Sequence, residues 1–133
     1  MDFKALLERD SLLSHFDMKL QDLNPGQVTL SMPVTDKVRQ PFGYLHGGAT
    51  VALCETAASI GATGLIDISS QIAFGLEINA NHIASVKEGT IYAAASIIHQ
   101  GSATQVWEVR VTDDSKRLVS IARCTMAVKE KVR

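Results

Sequence analysis

The chain has 133 residues and a net charge of −1, from 13 basic and 14 acidic side chains. Apolar residues make up 46% and charged residues 20%, which is ordinary for a soluble domain with a single hydrophobic core. The balanced charge without a basic block argues against nucleic acid as a partner, and no apolar run approaches the roughly 20 residues that span a membrane.

The first part of the sequence predicts short helical turns followed by a hairpin. Leucines among charged residues at positions 3–13 indicate one or two amphipathic turns, and these charges are not typical of a secretory signal. We therefore expect a cytoplasmic protein. Residues 24–26, Asn-Pro-Gly, are a strong turn signal after the first strand. Alternating apolar residues at 28–34 then predict the second arm of a hairpin, with Pro33 at an edge or at the end of the strand.

A loop and one long helix form the centre of the sequence. Residues 35–45 are polar and contain Pro41 and Gly43, which predicts a loop. Small and apolar residues without proline then predict a helix from about Gly47 to residue 63, ending near Gly64. Because this helix is apolar on most sides, we expect a sheet to wrap it.

Strand patterns fill the remainder of the chain. A strand-like segment at 71–84 is followed by three consecutive antiparallel strands near 90–99, 105–112 and 118–128, separated by polar turns. With the hairpin, this gives one long central helix and a five- or six-stranded antiparallel sheet, an α+β architecture. We find no internal boundary, so residues 1–133 are expected to form a single domain.

Candidate chemistry is concentrated where the loop meets the helix. Gln40 lies in the loop, His46 and Gly47 lie at the helix start, and Glu55 lies eight residues after Gly47. The first N–H groups of a helix have no intrahelical partner and carry partial positive charge, and glycine allows a substrate oxygen to approach them. Glu55 is the one acid in the apolar run, where a buried and unpaired carboxylate is costly. The segment therefore predicts an oxyanion-binding helix end near a buried acid.

Ordinary structural explanations exist for the same residues. A glutamate on a helix is usually solvated, and a His-Gly-Gly sequence occurs in many loops. His82 and His99 lie in strand-like segments, where a structural histidine is the commoner case. The sequence lacks clustered Cys and His spacing, so we expect no metal site. Cys54 and Cys124 are interpreted as small buried apolar residues in a reducing compartment.

Three segments resemble the hot-dog acyl-CoA thioesterases of the phenylacetate-type branch: QPFGYLHGGATVALCETAAS at 40–59, GLEINANHIASVKEG at 75–89 and HQGSATQVW at 99–107. The resemblance extends from the hairpin to the last strand and implies a hot-dog fold, a sheet wrapped around one central helix. It also implies hydrolysis of an aromatic acyl-CoA, such as 1,4-dihydroxy-2-naphthoyl-CoA of menaquinone biosynthesis. Coenzyme A is part of the substrate, so no cofactor is implied, and the assembly would be a homodimer that forms a homotetramer.

The resemblance further implies roles for individual residues. Glu55 would be the catalytic carboxylate, acting as nucleophile or as general base. The N–H of Gly47 would bind the thioester oxygen, helped by Gln40, and His46 would orient the thioester or its sulfur. Ser59, one helical turn beyond Glu55, would help to place the water. Contacts to the substrate and to coenzyme A would come from Gly75, His82, Ile83, Ala84, Ser85, His99, Gln100, Gly101, Ser102, Ala103 and Thr104.

The chain departs from the family pattern at the coenzyme A contacts. Relatives tend to carry basic residues where this chain has Ala84, Ala103 and Thr104, so the groups that bind the phosphates stay open. Lys87 or a basic residue of a neighbouring subunit can take their place. Two other functions also stay open: a hot-dog hydratase or dehydratase, and a non-catalytic acyl-CoA-binding module.

The spacing of Gly47 and Glu55 predicts that the active site is shared between subunits. Eight residues of helix separate their backbones by about 12 Å, whereas both groups must reach one thioester within about 3.5 Å. Two antiparallel helices related by a twofold axis would bring Gly47 of one subunit to Glu55 of the other. Phe42 and Tyr44 are expected at the mouth of the pocket.

Overall fold

In the computed structural model, which describes residues 3–132, six antiparallel strands form one sheet and a long helix packs against it. The strand order is β1-β2-β4-β5-β6-β3. In chain order the elements are α1 (Phe3–Leu7), α2 (Leu12–His15), β1 (Lys19–Asn24), β2 (Gln27–Pro33), α3 (Gly47–Thr63), β3 (Gln71–His82), β4 (Thr90–Gln100), β5 (Thr104–Thr112) and β6 (Leu118–Glu130).

The N-terminal half folds as its patterns predict. Two short helices precede a hairpin, and its turn has Gly26 at a φ of 81°, in the left-handed region that glycine adopts without strain. β2 ends at Pro33, consistent with a residue that lacks an N–H for the sheet. The helix α3 has the predicted bounds and stops at Gly64. The loop before it contains a 3-10 turn at Asp36–Val38 that the sequence pattern did not indicate.

The position of β3 does not follow the order of the chain. β4, β5 and β6 are neighbours in the sheet, as their short turns predict. β3 does not pair with β4; it pairs with β6, with Ala80 opposite Ala122, and therefore forms one edge of the sheet. The connection through α3 thus carries the chain from β2, near one edge, to the opposite edge.

The sheet covers one side of α3, so the helix is buried on that side alone. The close packing is clearest at Gly61, where an added Cβ would lie 2.8 Å from Cζ3 and 2.9 Å from Cζ2 of Trp107. The indole Nε1 of Trp107 donates a hydrogen bond to Oε1 of Gln105 at 2.9 Å within the core. A stripe along the other side of the helix stays partly accessible in the single chain: Val51, Ala52, Glu55, Thr56, Ser59 and Thr63. Within residues 3–132 no helix is both long and apolar enough to cross a bilayer.

Candidate active site

His46 caps the start of α3. Its Nδ1 accepts a hydrogen bond from the N–H of Gly48 at 2.7 Å, and its carbonyl accepts from the N–H groups of Ala49 and Thr50. Nδ1 is thus an acceptor, and the neutral ring carries its proton on Nε2. No hydrogen bond within the described residues engages the N–H of Gly47. One donor at the positive end of the helix is therefore available to a substrate oxygen.

The loop that leads to this helix is held by hydrogen bonds to the β3–β4 connection. The N–H of Leu45 donates to the carbonyl of Val86 at 2.7 Å, and Nε of Arg39 donates to the carbonyl of Lys87 at 3.0 Å. Within the loop, Oε1 of Gln40 accepts from the N–H of Phe42. That bond fixes the orientation of the Gln40 amide, so that its NH₂ group is the end left to donate to a ligand.

A small cleft of about 200 Å³ lies beside the start of α3, and we call it the helix-start cleft. His82, at the end of β3, lies next to Gly47: a Cβ added to Gly47 would lie 2.8 Å from Nε2 of His82. On its other side the imidazole Nδ1 lies 2.8 Å from Oγ of Ser120. The lining residues are Gln40, Tyr44, Leu45, Gly47, Thr50, His82, Ala84, Ser85, Val86, Val119 and Ser120.

A larger, mostly apolar cleft of about 490 Å³ contains Glu55, and we call it the Glu55 cleft. One face of α3 and the start of β3 form its walls, and leucines of the N-terminal segment close one side. The Glu55 side chain is exposed in the single chain, so the expectation of a buried acid is wrong for one subunit. The lining residues are Leu6, Leu7, Leu13, Glu55, Thr56, Ser59, Ile60, Thr63, Ile66, Ile68, Gln71, Ile72, Ala73 and Lys131.

The two clefts have no residue in common, and each is lined by some of the residues that the sequence singled out. Gln40 and Gly47 lie in the helix-start cleft with His82, Ala84 and Ser85. Glu55 and Ser59 lie in the other, where the carboxylate of Glu55 rests against Gly75. A single chain therefore does not bring the free N–H of Gly47 and the carboxylate of Glu55 into one cavity.

Several predicted contact residues line neither cleft. Phe42 is 86% exposed and lies outside both, whereas Tyr44 does line the helix-start cleft. Ile83 is exposed as well. The residues at the β4–β5 connection also lie away from both clefts of the single chain: His99, Gln100, Gly101, Ser102, Ala103 and Thr104.

Ser120 is a member of the helix-start cleft that sequence reasoning did not identify. It lies in the middle of a strand pattern, where a lone serine carries no signal of its own. Ser120 stands opposite His82 because β6 pairs with β3. Since that pairing is not apparent from the order of the elements, neither is the contact.

The thiols of Cys54 and Cys124 are buried and unreactive. Burial raises the pKa of Cys54 to about 12, with a smaller contribution from Cys124. Burial also raises the pKa of Cys124 to about 12, helped by the negative charges of Glu55 and Glu77. Both groups are therefore protonated and poorly nucleophilic at neutral pH. In the part of the chain that the structure describes, no cluster of His, Cys, Asp and Glu side chains is arranged to hold a metal ion.

Comparison with known proteins gives consistent matches. The model of the thioesterase superfamily matches residues 42–120. The 1,4-dihydroxy-2-naphthoyl-CoA hydrolase of Listeria monocytogenes is 51% identical over 114 residues, which are 86% of this chain and 92% of that protein. A variant of a Staphylococcus aureus thioesterase superimposes with a TM-score of 0.88 and 51% identity over 89% of this chain and 98% of that one. A variant of a Pseudomonas aeruginosa thioesterase does so with a TM-score of 0.92 and 36% identity over 96% and 91% of the two chains.

Proposed function

The chain belongs to the hot-dog thioesterase superfamily and is a thioester hydrolase, and from that premise we propose that it cleaves an aromatic acyl-CoA to the free acid and coenzyme A. The observation that carries the proposal is the uncommitted N–H of Gly47 at the start of α3. The 51% identity to the Listeria hydrolase makes 1,4-dihydroxy-2-naphthoyl-CoA the first substrate to test.

The helix start supplies the electrostatic part of the proposed mechanism. Attack on a thioester places negative charge on the carbonyl oxygen, and a preorganised N–H donor stabilises that charge by about 3 kcal/mol. Gly47 provides the N–H, and Gln40, whose amide NH₂ is left free to donate, lines the same cleft. His46 holds the N–H of Gly48 and so fixes the geometry of this helix turn.

Glu55 supplies the carboxylate in either of two routes. As a general base it accepts a proton from water while the water oxygen bonds to the thioester carbon. As a nucleophile it bonds to that carbon itself, giving a mixed anhydride that water then hydrolyses. In both routes the carbon–sulfur bond breaks and coenzyme A leaves as a thiolate that takes up a proton. Neither route needs a metal or a cofactor.

We also propose that two chains build each site. In one chain the Gly47 donor and the Glu55 carboxylate line separate clefts. Antiparallel packing of two α3 helices along their accessible stripes would place Gly47 of one subunit near Glu55 of the other. The edge strand β3, with Phe74 51% and Leu76 59% exposed, offers a surface that a second copy would cover. A homodimer, assembling further to a homotetramer, is the proposed state.

A panel of acyl-CoA substrates tests this function directly. Purified protein is incubated with 1,4-dihydroxy-2-naphthoyl-, benzoyl- and straight-chain acyl-CoAs, and free thiol is measured with a chromogenic reagent. Both protein thiols are buried with a pKa near 12, so the folded protein should contribute little to the signal. Thiol release that follows the aromatic substrates supports the proposal.

Two other outcomes would replace the proposal. A change in double-bond absorbance without thiol release indicates a hydratase or dehydratase, and saturable binding without turnover indicates an acyl-CoA-binding module. The two glycines directly after His46, with Glu55 nine residues beyond it, favour hydrolysis.

A further inference from the structure

We propose that Ser120 is a positioning residue that sets the tautomer of His82, and that Nε2–H of His82 is a second donor to the thioester oxygen bound at Gly47. This inference rests on the proposed function and deepens it, because it assigns a further donor to the same site. The contacts among Ser120, His82 and Gly47 at the helix-start cleft support it.

Ser120 has the properties of a fixed hydrogen-bond partner. It is fully buried, and its Oγ lies 2.8 Å from Nδ1 of His82 on the neighbouring strand. The two residues stand directly opposite each other in the register of β3 and β6. Within residues 3–132 this is the one hydrogen bond of the Ser120 hydroxyl. A buried hydroxyl with a single partner constrains that partner strongly.

The direction of this hydrogen bond follows from what each alternative would leave unpaired. If Nδ1 carried the proton and donated to Oγ, the hydroxyl hydrogen of Ser120 would be buried without an acceptor, at a cost of about 1–3 kcal/mol. If the hydroxyl donates to Nδ1, the buried hydroxyl and the ring nitrogen are both paired. Ser120 therefore donates, and the neutral imidazole of His82 carries its proton on Nε2.

The Nε2–H group then faces the helix start with no protein partner. No hydrogen bond in the described part of the chain uses Nε2 of His82. An ideal Cβ on Gly47 lies 2.8 Å from Nε2, so covalent geometry puts Nε2 within about 5.3 Å of the Gly47 nitrogen. Because a hydrogen bond spans about 2.9 Å between donor and acceptor, one oxygen atom can accept from both nitrogens at this separation. A thioester oxygen on the Gly47 N–H is thus within reach of His82.

Variants of His82 separate this role from a merely structural one. The side-chain nitrogen of glutamine takes the place of Nε2, whereas that of asparagine takes the place of Nδ1. His82→Gln should therefore keep much of the wild-type kcat, and His82→Asn should lower it by about 100-fold with little change in KM, because an oxyanion donor acts on the transition state.

Ser120→Ala tests the positioning step. Removing the hydroxyl should lower kcat on the order of tenfold, since the imidazole is no longer held in one tautomer and orientation. Ser31→Ala is the matched control, because Ser31 is also a buried strand serine with a side-chain partner, Gln21, outside both clefts. Thermal unfolding of each variant shows whether the fold is kept.

Nitrogen-15 NMR of histidine-labelled protein reads the tautomer without any substrate, with His82→Asn assigning the signal. The expected result is a His82 ring protonated on Nε2 in the wild type and a mixture of the two tautomers in Ser120→Ala. An Nδ1–H ring in the wild type, equal kcat for the glutamine and asparagine variants, or unchanged kcat in folded Ser120→Ala would each overturn this inference while thioester hydrolysis stands. A wild-type protein that hydrolyses no acyl-CoA would instead remove the proposed function and the donor role together.

Discussion

The carboxylate of Glu55 lies directly over Gly75 of β3. An ideal Cβ at residue 75 would lie 3.0 Å from Cδ of Glu55 and 3.2 Å from each carboxylate oxygen. The register of β3 against β6 shifts between Gly75 and Glu77, so the strand is irregular at this point. Gly75 therefore provides space for the acid of the helix, and any side chain there would compete with the carboxylate for its position.

Gly75→Ala is expected to lower kcat without loss of stability, and Gly75→Val is expected to lower it further. The added atoms push the carboxylate by a few tenths of an ångström or more, while the exposed strand position tolerates them. Steady-state kinetics and thermal unfolding of both variants measure the two effects. Gly64→Ala is the control, because its added Cβ meets nothing closer than 3.4 Å. Full activity in Gly75→Val would show that the carboxylate position does not matter.

Replacing Glu55 tests the carboxylate itself. Glu55→Ala should abolish turnover, and Glu55→Asp should retain a small fraction, because its carboxylate lies one methylene further back. Glu108→Ala is the matched control, since Glu108 lies on the inner strand β5, pairs with Arg110 and lines neither cleft. If Glu55→Ala kept more than about a tenth of the wild-type kcat, the catalytic assignment would be wrong.

Planar aromatic acyl groups should be better substrates than long straight chains. The Glu55 cleft has a volume of about 490 Å³ and is walled mainly by apolar side chains such as Ile60, Ile66 and Ile72. That space suits a fused ring system, whereas a long acyl chain would have to extend beyond it. The values of kcat/KM for naphthoyl-type, benzoyl- and palmitoyl-CoA decide the question. A higher value for palmitoyl-CoA would contradict the expected preference.

Mixing inactive variants should restore activity if two chains build each site. Glu55→Ala and Gln40→Ala/His46→Ala are each expected to be inactive alone. Co-refolded in equal amounts, half of the dimers are mixed, and each mixed dimer has one intact and one doubly damaged site. Activity should therefore return to about a quarter of wild type per subunit.

The mixing experiment has a clear negative result. Sites contained within single chains would gain nothing from mixing, and the activity would stay at the background of the two separate variants. Sedimentation of the wild type supplies the independent check, because a monomer with full activity would also exclude shared sites. Refolding the wild type by the same procedure controls for losses during mixing.

Much of the fold could be predicted because its signals are local. The Asn-Pro-Gly turn and the alternating strand at 28–34 define the hairpin, and the proline-free run with its glycines defines α3. The neighbour of β3 could not be predicted in the same way. Strand pairing depends on contacts between distant residues, and an alternating pattern alone does not identify the neighbouring strand.

The candidate site was likewise predictable where its signals are local and unpredictable where they depend on distant residues. Gln40, His46 and Gly47 are close in sequence, so their clustering at the helix start was predictable. The exposure of Glu55 was not, because an apolar sequence around an acid does not tell which side of the helix the sheet covers. Ser120 could not be predicted, because His82, which its hydroxyl contacts, is 38 residues away on another strand.

The pairing of β3 with β6 also bears on the order in which the protein can fold. The turns between β4, β5 and β6 are short. By contrast, Val28 pairs with Ala95 and Ala73 pairs with Val128, so these pairs must close long segments of the unfolded chain, which costs conformational entropy before the contacts form. The β4–β6 meander should form first, and the β1–β2 hairpin and β3 should dock onto it afterwards. Measured φ-values should then be high for Val109→Ala and near zero for Ile78→Ala, and the reverse order would refute this sequence of events. Because β3 walls the Glu55 cleft and carries His82, the chain acquires its chemistry only after the β4–β6 meander has formed.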